Sequence, residues 1–259
     1  MSELLVVLTD VHGFADVVGN VVDYYGNEVQ FLFNGDSVDR GPKTKETLEI
    51  IKNLGENATL NLGNHCWALL GALTDADPER REAWLQETWA PPSPKRRLES
   101  NTFKSYGIDH YLRIEDKAKA LRETMQELGH LSLLESGRLY YEDEQMLVVH
   151  AGTDNDQTWQ AQRRQLDASE ALAKARIYID EPAQIFHTPL CNVTQAPKDI
   201  VHKTLVTGHS HDRSPANARI LTRPGEDRPA RIRLASSLQK GDPLFAYETW
   251  NHNIRTFEQ

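Results

Sequence analysis

Five times along this chain a short apolar run stops abruptly at a cluster of polar residues with glycine among or beside them. Leu4 to Leu8 leads into Thr9-Asp10-Val11-His12-Gly13, and Val29 to Phe33 leads into Asn34-Gly35-Asp36. Ala58 to Leu62 precedes Gly63-Asn64-His65, Gln145 to Val149 feeds His150-Ala151-Gly152, and Thr204 to Val206 reaches Thr207-Gly208-His209-Ser210-His211. Runs of this length read as buried strands. A turn alone does not require Asp, Asn or His at every such end, so the recurrence points to one site assembled from many strand ends.

Between the first two runs Val17, Val18, Val21 and Val22 recur at helical spacing, and Thr44 to Leu54 offers a second amphipathic helix before the third run. This β-α-β-α-β order predicts parallel strands covered by helices, with ligands bound beyond the carboxyl ends of the strands. From about Trp67 to Leu134 the pattern turns helical, broken by Pro91-Pro92-Ser93-Pro94 and followed by the basic triplet Lys95-Arg96-Arg97. That stretch is expected to be a helical cap inserted into a single domain spanning residues 1–259. Strands resume at Leu139–Tyr141, and the tail reads as alternating strands, Arg231–Leu234 and Leu244–Trp250, separated by a turn signal at Lys240-Gly241-Asp242-Pro243.

The net charge of −9 argues against a broad surface for polymeric nucleic acid, which is gripped by clustered Lys and Arg. A small phosphorylated ligand remains compatible, because nearby charges and cations set the local potential. No apolar run approaches the roughly 20 residues that cross a bilayer. The two cysteines, Cys66 and Cys191, lack paired metal-ligand spacing and cannot form a dense disulfide framework. Together these features fit a cytoplasmic protein that does not enter a membrane.

Hard carboxylate and amide oxygens mixed with imidazole suit divalent cations that activate water and neutralise phosphate. Asp10, His12, Asp36, Asn64, His150 and His209 supply that mixture, and Asp36, on the second of three adjacent strands, is the natural bridge. Two cations about 3.5–4 Å apart could share a hydroxide as nucleophile.

The segments Asp10-Val11-His12-Gly13, Gly35-Asp36-Ser37-Val38-Asp39-Arg40-Gly41, Gly63-Asn64-His65 and Gly208-His209 resemble the calcineurin-like metallophosphoesterases. The Asp39-Arg40-Gly41 extension is similar to the phosphoprotein phosphatase branch, which includes serine/threonine protein phosphatases and symmetrical diadenosine-tetraphosphatases. The resemblance implies an α/β fold, a four-layer sandwich of two mixed β-sheets flanked by helices. It further implies one metal held by Asp10, His12 and Asp36 and a second held by Asp36, Asn64, His150 and His209. Mn²⁺ is the expected ion, with Fe or Zn also compatible. His65 would protonate the leaving oxygen, oriented by Asp39, while Arg40, Asn64 and a further arginine bind the phosphate. Arg176 is the candidate for that arginine, with Arg163, Arg164 and Arg213 as competitors.

Two departures matter. Cys66 stands where protein phosphatases of this branch usually carry Glu, and it is read as a small buried residue opening a helix, with a redox-sensitive thiol as the alternative. Leu234-Ala235-Ser236-Ser237 occupies the place where many relatives have Asp-Thr-Gly. In partial compensation, Gly208-His209-Ser210-His211 is similar to the wider superfamily, so His211 is expected as a ligand of the first metal, since residues two apart on an extended segment share a face.

The expected activity is phosphomonoester hydrolysis, with a serine/threonine phosphoprotein as first choice of substrate. The nearest rival is a dinucleoside polyphosphate, for which Trp84 or Trp89 in the cap could stack a base if they are not simply helix packing. A metal-binding interaction protein without turnover is the reading from another class.

Overall fold

The computed structural model describes residues 4–89, 100–179, 182–186, 197–210, 215–222, 225 and 228–259. Its strands are β1 (Leu5–Thr9), β2 (Gln30–Asn34), β3 (Ala58–Asn61), β4 (Tyr140–Glu142), β5 (Met146–Val149), β6 (Thr204–Thr207), β7 (Ile220–Thr222), β8 (Pro229–Arg233), β9 (Leu244–Glu248) and β10 (Asn253–Phe257). The helices are α1 (Ala15–Tyr25), α2 (Thr44–Asn53), α3 (Asn64–Thr74), α4 (Pro78–Trp89), α5 (Ser100–Ser105), α6 (Ile114–Glu127), α7 (His130–Glu135), α8 (Trp159–Lys174) and α9 (Ala183–Phe186).

The strands form two mixed sheets, ordered β10-β9-β1-β2-β3 and β4-β5-β6-β8-β7. In the first sheet β1, β2 and β3 run parallel, and in the second β5, β6 and β8 do the same. The remaining strands are antiparallel additions at the flanks.

Continuous apolar composition in β1 follows from burial on both faces. Leu5 and Val7 join Leu32, Met146, Val148, Val206, Ile232 and Tyr247 in the core between the sheets. Val6 and Leu8 point the other way, into the cluster with Val17, Val18 and Val21 of α1. The strand's period of two thus splits one apolar run between a sheet-sheet core and a sheet-helix core. The second sheet repeats the division: Val148 faces the first sheet, while Leu147 and Val149 lie in the cluster with Trp159 and Leu166 of α8. The result is the expected four layers, helix, sheet, sheet, helix.

The sheets are also joined by amides. Asn34 Nδ2 donates to the Val149 carbonyl at 3.1 Å, and Asn61 Nδ2 donates to Asn34 Oδ1 at 3.0 Å. All three asparagine and strand-end groups are buried, so the polar contacts fix how the two sets of strand ends face each other.

Helices α3 to α7 lie between Asn64 and Glu135. Every residue from Cys66 to Thr74 of α3 is buried, as expected for a helix packed on all sides. It packs against α4, α6 and α7, while α2 packs against α5 and α7. Trp84 belongs to this packing: it is buried, its indole lies against Gly71, and its Nε1 donates to the Tyr178 carbonyl at 2.9 Å. That removes Trp84 as a base-stacking shelf. The side chain of Trp89 and the triplet at 95–97 lie outside the described residues.

Elements the sequence reading did not anticipate are α8, α9, β7 and β10. The first has a clear start signal in hindsight, since the Thr158 side chain accepts the Ala161 amide at 3.2 Å as an N-cap. Strands β7 and β10 are short or half-exposed edge strands, whose residues lack a sustained apolar alternation.

Candidate metal centre

Three parallel strands of one sheet and two of the other end at the same place. Asp10 and His12 follow β1, Asp36 follows β2, and Asn64 and His65 open α3 just after β3. His150 follows β5, and His209 follows β6. The backbone continues to pair beyond the strands: His12 N–H donates to the Asp36 carbonyl at 2.8 Å, and Gly208 N–H donates to the His150 carbonyl at 2.8 Å.

This crowding shows in the dihedral angles. Asp10, His12, Asp36, Asp39, Arg40 and His209 all adopt positive φ, and among the described residues only Arg176 and His252 join them as non-glycine cases. Left-handed backbone costs a side-chain-bearing residue of order 1–3 kcal/mol and persists where the surroundings over-determine it. Glycine serves where even that is insufficient. A Cβ on Gly35 would collide with the His150 ring, and one on Gly63 would collide with the Asp36 carboxylate.

Asp36 is the pivot. Its Oδ1 accepts the His65 amide at 2.9 Å, while Oδ2 lies 3.3 Å from His150 Nε2 and 3.7 Å from His12 Nε2. Two clusters of potential ligand atoms share it, His12-Asp36-His65 and Asp36-His150-His209, with each set mutually within 4.8 Å. His209 Nδ1 lies 3.0 Å from Asn64 Oδ1 and 3.2 Å from His150 Nε2. Asp10 is turned slightly differently: its carboxylate accepts the His209 amide at 3.1 and 3.0 Å.

The imidazoles are held in definite tautomers by backbone carbonyls. His12 Nδ1 donates to the Val38 carbonyl at 2.8 Å, leaving its buried Nε2 without a hydrogen-bond partner. His150 Nδ1 donates to the Asn34 carbonyl at 3.1 Å. Backbone bonds of this kind aim the other ring nitrogen at a cation. A buried unpartnered imidazole nitrogen beside a buried carboxylate is what a metal-binding residue looks like, so the donor set fits a divalent ion.

The electrostatics agree. Burial alone would lower His150, but the charges of Asp36 and Asp10 outweigh it and hold the imidazole up at about 9. Burial followed by the Arg40 charge keeps His12 well below its ordinary value, and burial with the His150 charge holds His209 down at about 4. Asp36 is kept ionised against burial by His150 and His65. The spot therefore attracts positive charge while keeping two imidazoles neutral.

Beside this centre, His65 Nδ1 donates to Asp39 Oδ2 at 2.9 Å, with the Asp39 carboxylate fully buried. Arg40 Nη2 lies 3.0 Å from His65 Nε2, and because a guanidinium can only donate, that nitrogen is the acceptor. Burial would lower His65, but Asp36 and the bond to Asp39 reverse the shift and raise it.

Other expected positions fall elsewhere. Arg176, at the end of α8, spends its guanidinium on Glu135 at 2.9 Å and is half-exposed. Arg163 pairs with Glu142 at 3.3 Å. His211 and Arg213 lie outside the described residues, as does Cys191. Cys66 is fully buried, and its thiol is pushed up to about 12, first by burial and then by the Asp36 charge, which fits a packing role. Leu234, Ala235, Ser236 and Ser237 are all buried at the end of β8, with no carboxylate among them.

Sequence reasoning missed Asn101 and Thr102 of α5. Thr102 Oγ1 donates to Asp39 Oδ1 at 2.6 Å, and Asn101 Nδ2 donates to the Arg40 carbonyl at 2.7 Å. No signal near them in sequence suggests this, because their partners lie some sixty positions away.

Residues 4–213 match the family described as calcineurin-like phosphoesterase, so the chain belongs to that family. Among curated relatives, it is 36% identical over 86 residues to a symmetrical bis(5'-nucleosyl)-tetraphosphatase of Psychromonas ingrahamii, covering 30% of this chain and 31% of that protein. It is 34% identical over 94 residues to the protein of the same name from Aeromonas hydrophila, covering 35% and 34%. These matches span about a third of each relative's length. Among solved structures, a cold-active protein-tyrosine phosphatase of a psychrophilic Shewanella shares the fold, with a TM-score of 0.57 at 18% identity over 99% of this chain and 80% of that one.

Proposed function

We propose that the protein hydrolyses phosphoesters at a centre holding two divalent cations, with a dinucleoside polyphosphate as its substrate class. The observation that carries the reading is Asp36 Oδ2 facing His12 on one side and His150 on the other, with His209 next to His150, all set beside the Asp39-His65-Arg40 group. Asp10, His12 and Asp36 would hold one cation, joined by His211, and Asp36, Asn64, His150 and His209 the other. Mn²⁺, Fe²⁺ and Zn²⁺ all suit this mixture of oxygen and imidazole. Bound there, such ions would supply acidity to the attacking water and neutralise charge on the phosphoryl group.

The chain's own residues supply positioning and the proton. Arg40 binds phosphate oxygens, for which its planar fork is suited. As it turns to the phosphate, His65 Nε2 loses its present donor and can carry the proton given to the leaving oxygen. Asp39 holds the ring at Nδ1 and favours the imidazolium. The sequence reading put phosphoserine or phosphothreonine first. The names of the curated relatives instead favour the dinucleotide, since likeness to the phosphatases of known structure extends to the fold alone.

The test is to reconstitute the metal-free protein separately with Mn²⁺, Fe²⁺, Zn²⁺ and Mg²⁺ and assay diadenosine tetraphosphate, a phosphopeptide and p-nitrophenyl phosphate. Dinucleotide cleavage with the highest kcat/KM is expected. Phosphopeptide preference would overturn the substrate class, and inactivity with every metal would overturn the enzymatic reading.

A further inference from the structure

The loop from Asp39 to Lys43 carries Asp39 and Arg40, the two side chains that hold His65, yet both sit in strained backbone, with φ of 65° at Asp39 and 56° at Arg40. Such a loop needs restraints from outside itself. Its own glycine provides part of the answer, since Gly41 N–H donates to the His12 carbonyl at 2.7 Å. The rest comes from α5, a helix of the inserted segment. Asn101 holds the Arg40 carbonyl, and Ser105 Oγ accepts the Lys45 amide at 3.2 Å in the first turn of α2, where the Lys43 side chain gives no cap.

Thr102 sits at the centre of this clamp and is fully buried. Its hydroxyl accepts the Asp39 amide at 3.1 Å and donates its single proton to Asp39 Oδ1 at 2.6 Å. Thr44 Oγ1, 3.4 Å away, is therefore the donor in its contact with Thr102. Asp39 is left with one free oxygen, Oδ2, and that one meets His65 Nδ1. A carboxylate can rotate about χ2, and Thr102 fixes which oxygen faces the imidazole and in what plane.

The geometry points to Thr102 as a positioning residue that aligns the Asp39-His65 pair from the inserted helical segment. It touches neither the candidate ligands nor His65 directly, and it acts through Asp39. Its kinetic consequence rests on the function proposed above, in which His65 protonates the leaving oxygen. Misalignment of a proton donor matters most when the leaving group is a poor one, because a good leaving group departs with little help. Thr102 thereby makes the inserted segment part of the catalytic apparatus.

The experiment compares the wild type with Thr102→Val, which is of similar shape without the hydroxyl, and Thr102→Ser, which keeps it. Metal content, KM and kcat are measured with phenyl phosphate and with p-nitrophenyl phosphate. In Thr102→Val, kcat for phenyl phosphate is expected to fall about ten- to a hundredfold, and for p-nitrophenyl phosphate less than about threefold. KM and metal content stay unchanged, and Thr102→Ser restores both rates. Equal losses on the two substrates, loss of metal, or failure of the serine to rescue would overturn the proposal.

A second readout does not depend on turnover. In ¹H–¹⁵N spectra of labelled protein, the His65 Nδ1–H proton, which is donated to Asp39, is expected at the same downfield position in the wild type and in Thr102→Ser, and shifted upfield in Thr102→Val as that bond loosens. A spectrum identical in all three would overturn the positioning role even if the substrate assays failed. Should Thr102→Val not fold, Thr102→Ala removes the same hydroxyl without adding a methyl group, and its results are read in the same way.

Discussion

The two oxygens of Asp36 have separate duties, one anchoring the His65 amide and the other facing His12 and His150. Asp36→Asn keeps an acceptor for the amide but takes away the charge shared by both clusters. Under the proposed function it is expected to lose bound metal, read by elemental analysis, with activity falling at least about a hundredfold. His65→Ala leaves the carboxylates in place and is expected to retain metal while kcat drops about 10²–10⁴-fold. Retained turnover on a poor leaving group would show that the proton comes from elsewhere. Cys66 offers a contrasting case. With its thiol buried and held up at about 12, it is expected to resist alkylation at pH 8 in the folded protein and to react on unfolding, as measured by peptide mass spectrometry.

At the scale of elements, the polar groups outside the site secure the pieces that the strands do not. Glu248 closes β9 and is buried. Burial would raise its carboxyl, but donors from Asn251, Arg255, Tyr25 and Asn253 prevail and hold it at about 2. Its unfolded value is about 4.3. The stability it contributes is thus complete above about pH 4.3 and disappears as pH falls toward 2. Glu248→Gln is expected to cost on the order of 1–3 kcal/mol at pH 7 and to flatten the acid limb of a denaturation curve measured by circular dichroism.

His130 opens α7 between Tyr106, 2.7 Å away, and Glu49 of α2, 2.9 Å away. Burial is the largest influence on it and lowers its pKa in spite of Glu49. A depressed histidine favours folding above its unfolded value of about 6.5 and penalises it as pH drops below. The wild type should therefore lose more thermal stability between about pH 7.5 and 5.5 than His130→Gln, a difference that calorimetry at the two pH values would measure.

Across the whole molecule, the centre lies where two sheets meet, so binding of an ion by Asp36 and His150 ties β2 of one sheet to β5 of the other. Metal is accordingly expected to stabilise the fold as well as enable turnover. Ligand at 100 times its dissociation constant adds about 2.7 kcal/mol. Chelation should lower the melting temperature, and Mn²⁺ should restore it. An unchanged melting temperature would mean that the strand ends hold their positions without the ion.

Much of this was legible in one dimension. Apolar runs ending in Asp, Asn, His and Gly marked β1, β2, β3, β5 and β6, because a strand buried on both faces must be apolar throughout and can place functional groups only at its end. Each of the six residues named from those ends lies at the junction of the sheets. What was not legible depended on distant partners. Trp84 could have served a ligand or a core, and only Gly71 and Tyr178 decide for the core. Arg176 could have met a phosphate, but Glu135 is its partner. Thr102 had no distinguishing mark at all. The sequence by itself determined which residues stand at strand ends and what chemistry they can perform, since period, apolarity and donor type are local properties. Only the tertiary structure decided which oxygen of Asp39 faces His65 and which helix holds it there, since a hydrogen bond between groups 63 positions apart exists only once the chain has packed.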